Sequence, residues 1–371
     1  MTLNQNQQFY EIISKAKNPL ITFKKDSNGD TITSSLALAK LFNKLNKPAE
    51  IVAADFLMPE NYKFLKSSDT IKNNLSNHKQ FALSLDITNV QNPNIKHTIE
   101  NNKLHIYVTP EKGHLNKSHL RIDELKYKHD LIITLNTPDL EMLDTVYHEN
   151  PDLFFSTPII NIDHETDNEH YGQINFVDLK ATSVAEIIYD IFVELDNNFL
   201  DEKIATYLLA GMISKTNSFK MPNVTPKTLN IASHLITLGA ERDSIIKNLY
   251  QTKTIDTLKL WGRVLLKLRT NQNQKLAWTF VNEEDFIETK TNAKNLCGVI
   301  DELIVNIPTI EVTTLFYEEN KQKYCLIKTE KNIDLHNHFK ESNPQTLNKS
   351  LIKIKLTQNN EKILEKLQGL I

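Results

Sequence analysis

LITFKKDSNGDTITSSLALAKLFNKLNKPAEIVAA, residues 20–54, is the stretch that decides the expected fold. Residues 20–24 form a short apolar run that ends in the basic pair Lys24-Lys25. The polar turn Asp26-Ser27-Asn28-Gly29-Asp30 follows. Over 34–45 the apolar residues Leu36, Leu38, Leu41, Phe42 and Leu45 recur with a helical period, and 50–54 reads as the next strand. Strand, turn, helix and strand in that order are the unit from which parallel sheets are built.

Neighbouring segments extend the unit. DLIITL, residues 130–135, and PIINI, residues 158–162, are continuous apolar runs with β-branched residues, suited to strands buried on both faces. A helix is expected between them over 139–148. Residues 81–87 and 103–109 read as two further strands, an insertion or an edge extension. Ser183 stands at an N-cap position with Glu186 three residues on, a capping-box arrangement opening a helix over 183–195. The pattern is helical from 202 to 268, with Gly239 as a helix stop. Beyond a polar stretch at 270–274, strands at 277–281, 311–317 and 323–328 and a helix over 298–305 suggest a small module. The expected fold class is α/β: a parallel sheet flanked by helices, then a helical region and a smaller α+β C-terminal domain. The expected divisions are an α/β domain over 1–258, a connecting helix and linker over 259–275, and the α+β domain over 276–371. A chain of 371 residues favours two cores on size alone.

Composition narrows the function classes. Hydrophobic residues make up 40% and charged residues 24%, as in soluble globular proteins. The net charge of −3 supplies no global basic field for nucleic acid or anionic membrane. Eight glycines leave no Gly-rich phosphate loop and no dinucleotide fingerprint. The two cysteines, Cys297 and Cys325, suit neither a zinc site nor a disulfide framework by their spacing. Residues 1–10 are polar, and no apolar run reaches membrane-spanning length, so a cytoplasmic protein with no membrane partner is expected.

Four polar segments close predicted strands or helices: residues 24–30, Asn136-Thr137, Asp163-His164-Glu165 and Lys215-Thr216-Asn217. Open α/β sheets gather their ligands at the C-terminal edge of the strands, where such residues converge. Each segment alone has a plainer reading, as a turn, a cap or a solvated lysine.

In this order the segments resemble the DHH phosphoesterases. The first family motif reads roughly His-x-x-Pro-Asp-Gly-Asp-x-x-Gly-Ser; here it runs from Lys24 through Asn28-Gly29-Asp30 to Ser34. The second is an apolar strand ending in Asp, here DLIITLN ending at Asn136. The naming motif Asp-His-His stands as Asp163-His164-Glu165 within NIDHETDNEHYGQINFVD, residues 161–178. The fourth, a helix followed by Thr-Asp-Thr-x-x-Phe, is Ser214-Lys215-Thr216-Asn217-Ser218-Phe219. The resemblance covers most of residues 15–270. Residues 299–329 resemble the opening of the DHH-associated domain in the branch that degrades nanoRNA and hydrolyses adenosine bisphosphate. That domain's Gly-Gly-Gly-His signature is absent around 338–348, and its usual arginine is replaced near Ile327 or Lys328.

The resemblance implies a two-manganese site at Lys24, Asn28, Asp30, Asn136, His164 and Lys215. Only Asp30 and His164 keep a ligand type, and an ammonium has no lone pair for a hard cation. Two ligands are too few to hold the close pair of ions that two-metal hydrolysis requires. The expectation is therefore no tightly bound metal and no cofactor, with Mn²⁺ needed only if the enzyme alternative holds. Asp163 and His164 are the remnant catalytic residues. Lys24, Ser34, Lys215 and Lys328 are the candidate ligand-binding residues, and Lys24 or Lys215 is expected to pair with Asp30 or Asp163. The expected function is a catalytically impaired DHH-like protein whose interdomain cleft binds a phosphorylated ligand, a short nucleic acid or nucleotide, or a protein partner. The alternative is an active metal-dependent phosphoesterase acting on short oligonucleotides or a nucleoside phosphate. The oligomeric state is left open.

Overall fold

The computed structural model describes all residues except 1–4, 76–78, 252, 301–306, 330–332, 349, 357–359 and 371. The chain separates into two compact units, Met1–Gln251 and Thr252–Ile371. Among the described residues no helix is long and apolar enough to cross a membrane.

The first unit opens with helix α1 (Gln5–Lys15), strand β1 (Pro19–Phe23), helix α2 (Gly29–Lys44) and strands β2 (Glu50–Val52) and β3 (Ile71–Lys72). Strands β4 (Lys79–Leu85), β5 (Asn94–Glu100), β6 (Lys103–Thr109) and β7 (Leu120–Tyr127) form an arm. Then come β8 (Leu131–Leu135), the short helices α3 (Thr145–His148) and α4 (Pro151–Ser156), β9 (Ile159–Asp163) and β10 (Ile174–Val177). Helices α5 (Val184–Leu195), α6 (Glu202–Lys215), α7 (Pro226–Thr237) and α8 (Arg242–Leu249) complete the unit.

A parallel sheet in the order β10-β9-β8-β1-β2-β3 is the spine. Strands β1, β8 and β9 are buried along their whole length, as expected of apolar runs covered on both faces. Register places Phe23 beside Leu135 and Leu135 beside Ile162. Lys24, Asn136 and Asp163 therefore meet at one edge of the sheet. The arm forms two separate antiparallel ribbons, β4–β7 and β5–β6.

Local chemistry shifts some expected elements. Helix α2 starts at Gly29, not at 34, because the Asn28 side chain accepts from the Thr31 amide at 3.1 Å and caps it there. Gly29 and Asp30 thus belong to the helix and not to the turn. The helix expected over 139–148 divides into a 3₁₀ turn at Leu140–Leu143 and α3, because Asp144 takes φ 54° between them. Ser183 caps α5 through the Glu186 amide at 3.2 Å. The Glu186 carboxylate receives the amide and hydroxyl of Thr182, at 3.1 and 2.8 Å, and the Thr228 hydroxyl at 3.2 Å. That buried carboxylate joins α5 to α7.

The second unit contains α9 (Ile255–Leu266), β11 (Arg269–Thr270), β12 (Leu276–Val281), α10 (Glu283–Thr289), α11 (Cys297–Val299), β13 (Val312–Glu319) and β14 (Gln322–Thr329). It closes with α12 (Leu335–His338), β15 (Gln345–Asn348), β16 (Leu351–Lys355) and α13 (Asn360–Gln368). Its mixed sheet has the order β11-β12-β13-β14-β16-β15, with β12 and β13 parallel and the other pairs antiparallel. Helix α9 buries Leu260, Trp261 and Val264 against Leu315 and Leu326. Residues 271–275 turn β11 back onto β12. The helix expected over 298–305 lies mostly outside the described residues.

Helices α2 and α6 cross closely at Gly211, where an added methyl would stand 2.6 Å from Thr33 Oγ1, 2.9 Å from Asp30 Oδ1 and 3.1 Å from Ala185 Cβ. All three neighbours lie on α2 or α5, the helices that the Asp30 carboxylate ties together, so none can move aside freely. Gly211→Ala is expected to lower stability by about 1–3 kcal/mol in urea denaturation, the range for overpacking a filled core. A midpoint equal to that of the parent chain would refute the close crossing.

Candidate functional site

The C-terminal edge of the parallel sheet brings the four predicted segments together. Strand β1 delivers Lys24, whose amide donates to Thr137 Oγ1 at 3.1 Å. Strand β8 delivers Asn136, buried and held at φ 47°. A left-handed backbone is a conformation that Asn tolerates better than most residues. Strand β9 ends in Asp163 and presents His164 and Glu165. Helix α6 ends in Lys215, and the Ser214 hydroxyl beside it bonds the Tyr62 hydroxyl at 2.6 Å.

Both aspartates are fully buried and occupied. Asp30 accepts the Val184 amide at 2.7 Å and the Ala185 amide at 3.0 Å, so it caps α5 from across the fold. Ser34, expected to contact ligand, is fully buried and donates to the same carboxylate at 3.4 Å. Burial pushes the Asp30 pKa up, opposed by His164, by the Val184 and Ala185 amides and by Lys215. Asp163 accepts the amides of His164 and Glu165 at 2.6 and 3.1 Å and the Asn168 side chain at 2.8 Å. Asn168 continues a buried ladder to Asn161 at 2.7 Å.

The expected lysine–aspartate pair takes another form. Lys215 Nζ lies 3.2 Å from Glu165 Oε1, and its partner is neither Asp30 nor Asp163. Backbone amides already satisfy the two aspartates, which leaves Glu165 as the carboxylate free to meet the ammonium. Burial pushes Glu165 up, but Lys215, His164 and Lys24 outweigh it and hold its carboxyl below the usual range. Among the described residues Lys24 makes no ion pair.

Of the buried polar atoms without a hydrogen-bond partner among the described residues, Asn136 Oδ1 and His164 Nε2 lie at this edge. The His164 ring is 8% exposed, and its Nε2 stands 3.8 Å from Glu165 Oε1, too far for a hydrogen bond. Burial, and then Lys215, lower the His164 pKa against the opposite pull of Asp30 and Glu165. The imidazole is neutral near neutral pH.

These donors do not fit the two-metal site that the resemblance implies. Both Asp30 oxygens hold helix amides, and Asn28 Oδ1 holds the Thr31 amide and hydroxyl. Lys215 carries an ammonium paired to Glu165. Among the described residues no three His, Cys, Asp or Glu side chains are grouped to hold a metal ion.

The family model for the DHH family, N-terminal domain, matches residues 19–212, more than half of the chain, including Lys24, Asn136, Asp163 and His164. The chain belongs to the DHH family. It is 29% identical over 206 residues to the bifunctional oligoribonuclease and PAP phosphatase NrnA of Bacillus subtilis, a match that spans 54% of this chain and 62% of that relative. It is 26% identical over 216 residues to the uncharacterized protein MG371 of Mycoplasma genitalium, covering 57% and 62% of the two chains. Among solved structures, an exopolyphosphatase-related protein from Bacteroides fragilis aligns over 98% of this chain and 94% of its own with a TM-score of 0.67 at 15% identity, a likeness of fold.

Of the predicted residues, Lys24, Asn136, Asp163 and His164 gather at the sheet edge with Lys215, and Asn28, Asp30 and Ser34 lie at the start of α2. Lys328 lies on β14 of the second unit. Glu165 as a charge partner, Asn168 and Tyr62 are residues of this edge that the motif pattern does not single out. The spacing of Asn161, Asn168 and Asn175 around the third motif was the available signal for the amide ladder.

His164 predicts a pH dependence. A buried histidine with a depressed pKa leaves the unfolded chain to take up the proton first, below about pH 6.5. Its contribution is present above that pH and is lost as the pH falls toward the depressed value. The stability of the parent chain should fall over this window, and His164→Gln should flatten part of the slope. His129, also buried with a lowered pKa, retains the remainder. Parallel slopes for parent and variant in urea melts across pH 7 to roughly 5 would contradict a buried neutral His164.

Proposed function

We propose that this DHH-family protein uses the sheet-edge site as a metal-free pocket for the phosphate of a nucleotide or short oligonucleotide, with little or no hydrolysis. The observation that carries the reading is the commitment of Asp30, which spends both carboxylate oxygens on the first amides of α5. A carboxylate so engaged is a poor bridge between two cations. Lys24 and Lys215 supply positive charge beside it in place of ions. Phosphate is a ligand that ammonium groups and a buried imidazole can receive together. His164 Nε2 and Asn136 Oδ1 are further hydrogen-bonding positions for such a ligand.

Hydrolysis through bound metal is the second reading, favoured by the name of the Bacillus subtilis relative as an oligoribonuclease and PAP phosphatase. The match covers less than two thirds of that relative, so its activity is not carried over whole.

Manganese titration separates the two. The parent chain is expected to gain almost nothing in melting temperature from manganese, whereas an ion at a thousandfold excess over its dissociation constant stabilises by about 4 kcal/mol. Adenosine bisphosphate and short RNA should bind without metal, and Lys215→Glu should weaken that binding by at least tenfold. A manganese-dependent melting shift that disappears in His164→Ala, with phosphate release from either compound, would establish the enzyme reading.

A further inference from the structure

The arm carries an apolar surface that the sheet-edge site leaves unexplained. Register in the β5–β6 ribbon puts Ile95, His97 and Ile99 on one face with Leu104, Ile106 and Val108. Lys96, Thr98 and Glu100 occupy the opposite face. The apolar face borders an open groove of about 820 Å³, whose other wall is the β4–β7 ribbon with Leu83, Leu85 and Leu120. A two-stranded ribbon is marginal in water by itself, and a contiguous aliphatic face of this size marks a contact surface.

Exposure is graded across the ribbon. Ile95 and Ile99 on β5 are 67% and 74% exposed, whereas Leu104 and Ile106 on β6 are 60% and 45% exposed. The barest flank is thus the β5 side. Among the described residues β6 is the only strand paired with β5, so the outer backbone edge of β5 is open over seven residues. An open edge flanked by bare aliphatic side chains takes up another strand.

We propose that a second copy of this chain supplies that strand: the β5 edges of two copies pair antiparallel about a twofold axis at His97. All seven residues then overlap, Asn94 facing Glu100 of the second copy. Ile95 faces Ile99 of the second copy, and the symmetry repeats the contact, so the two barest aliphatic residues cover each other. On the polar face Lys96 lies diagonal to Glu100 of the second copy, again twice, at a distance where opposite charges attract. Centring on Thr98 instead would leave Ile95 opposite Asn101. A two-fold pairing uses one patch twice and closes, so it ends at the dimer and does not extend into a fibre.

Analytical ultracentrifugation of the full chain tests this, with the mass of a dimer expected at micromolar concentration. Ile95→Asp with Ile99→Asp should sediment at half that mass with an unchanged far-UV circular dichroism spectrum. His97→Cys, mildly oxidised, should form a covalent dimer on a non-reducing gel, because residues directly opposite in an antiparallel pair lie about 4.5–5.5 Å apart between α-carbons, within disulfide reach. Asn94→Cys and the parent chain, treated alike, should not. A monomeric parent chain would overturn the proposal, as would a dimer that survives the double substitution or a cross-link at position 94 in place of 97. A parent monomer whose arm takes up an apolar peptide would give the groove to a foreign partner and reject the second copy. The His97→Cys cross-link decides the matter even where the double variant fails to fold.

Discussion

Everything at the sheet edge depends on where the Asp30 carboxylate goes. It is fully buried, sits in the first turn of α2, and accepts the first two amides of α5. Burying a carboxylate is costly unless hydrogen bonds replace its water. Two amides at a helix N-terminus do this well, because the macrodipole favours an anion there. With Ser183 holding the Glu186 amide, three of the four amides that the first turn of α5 leaves free are satisfied. Distant parts of the chain are thereby locked in register, and α6 is pressed close enough to demand glycine at 211.

Asp163 repeats the solution at the end of β9, with two amides of its own loop and the Asn168 side chain. Two buried carboxylates at one sheet edge would ordinarily require a cation between them. Here backbone amides and an amide ladder carry most of that load. The Lys215–Glu165 pair adds charge balance at the surface of the cluster, where Glu165 is 40% exposed. A pair so open to solvent contributes on the order of 1 kcal/mol or less. The Lys215–Glu165 pair is therefore a weak structural support.

The spine was legible because strands buried on both faces leave continuous apolar runs, and 131–135 and 158–162 have no polar residue interrupting them except Thr134 and Asn161. Motif order located the edge residues for the same reason: polar residues ending apolar strands have few other places to go. The pairing of Lys215 was not legible. Charge counting treats Asp30 and Asp163 as unpaired anions, whereas the fold supplies amides from residues up to 155 positions away. The break at Asp144 was hidden because its positive φ falls inside an otherwise helical pattern. In the arm, strands are expected at 81–87 and 103–109 only; β5, β7 and the pairing of β4 with β7 around the β5–β6 ribbon were not legible, because that pairing depends on long-range closure that no local pattern encodes.

Two of the buried atoms at this edge do not share in this economy of satisfied groups. Asn136 Oδ1 and His164 Nε2 have no partner among the described residues, at the point where β8 and β9 end. A buried polar group left unpaired costs about 1–3 kcal/mol. Asn136 also adopts a left-handed backbone, so strain and desolvation fall on the same residue. A core designed for stability alone would replace these side chains with apolar ones. Local costs that the rest of the fold compensates concentrate at sites of function. Both atoms lie beside Lys24 and Lys215, the two edge cations not consumed by the buried aspartates. Polar atoms without partners, beside Lys24 and the half-exposed Lys215–Glu165 pair, are the features on which the proposed phosphate-binding role rests.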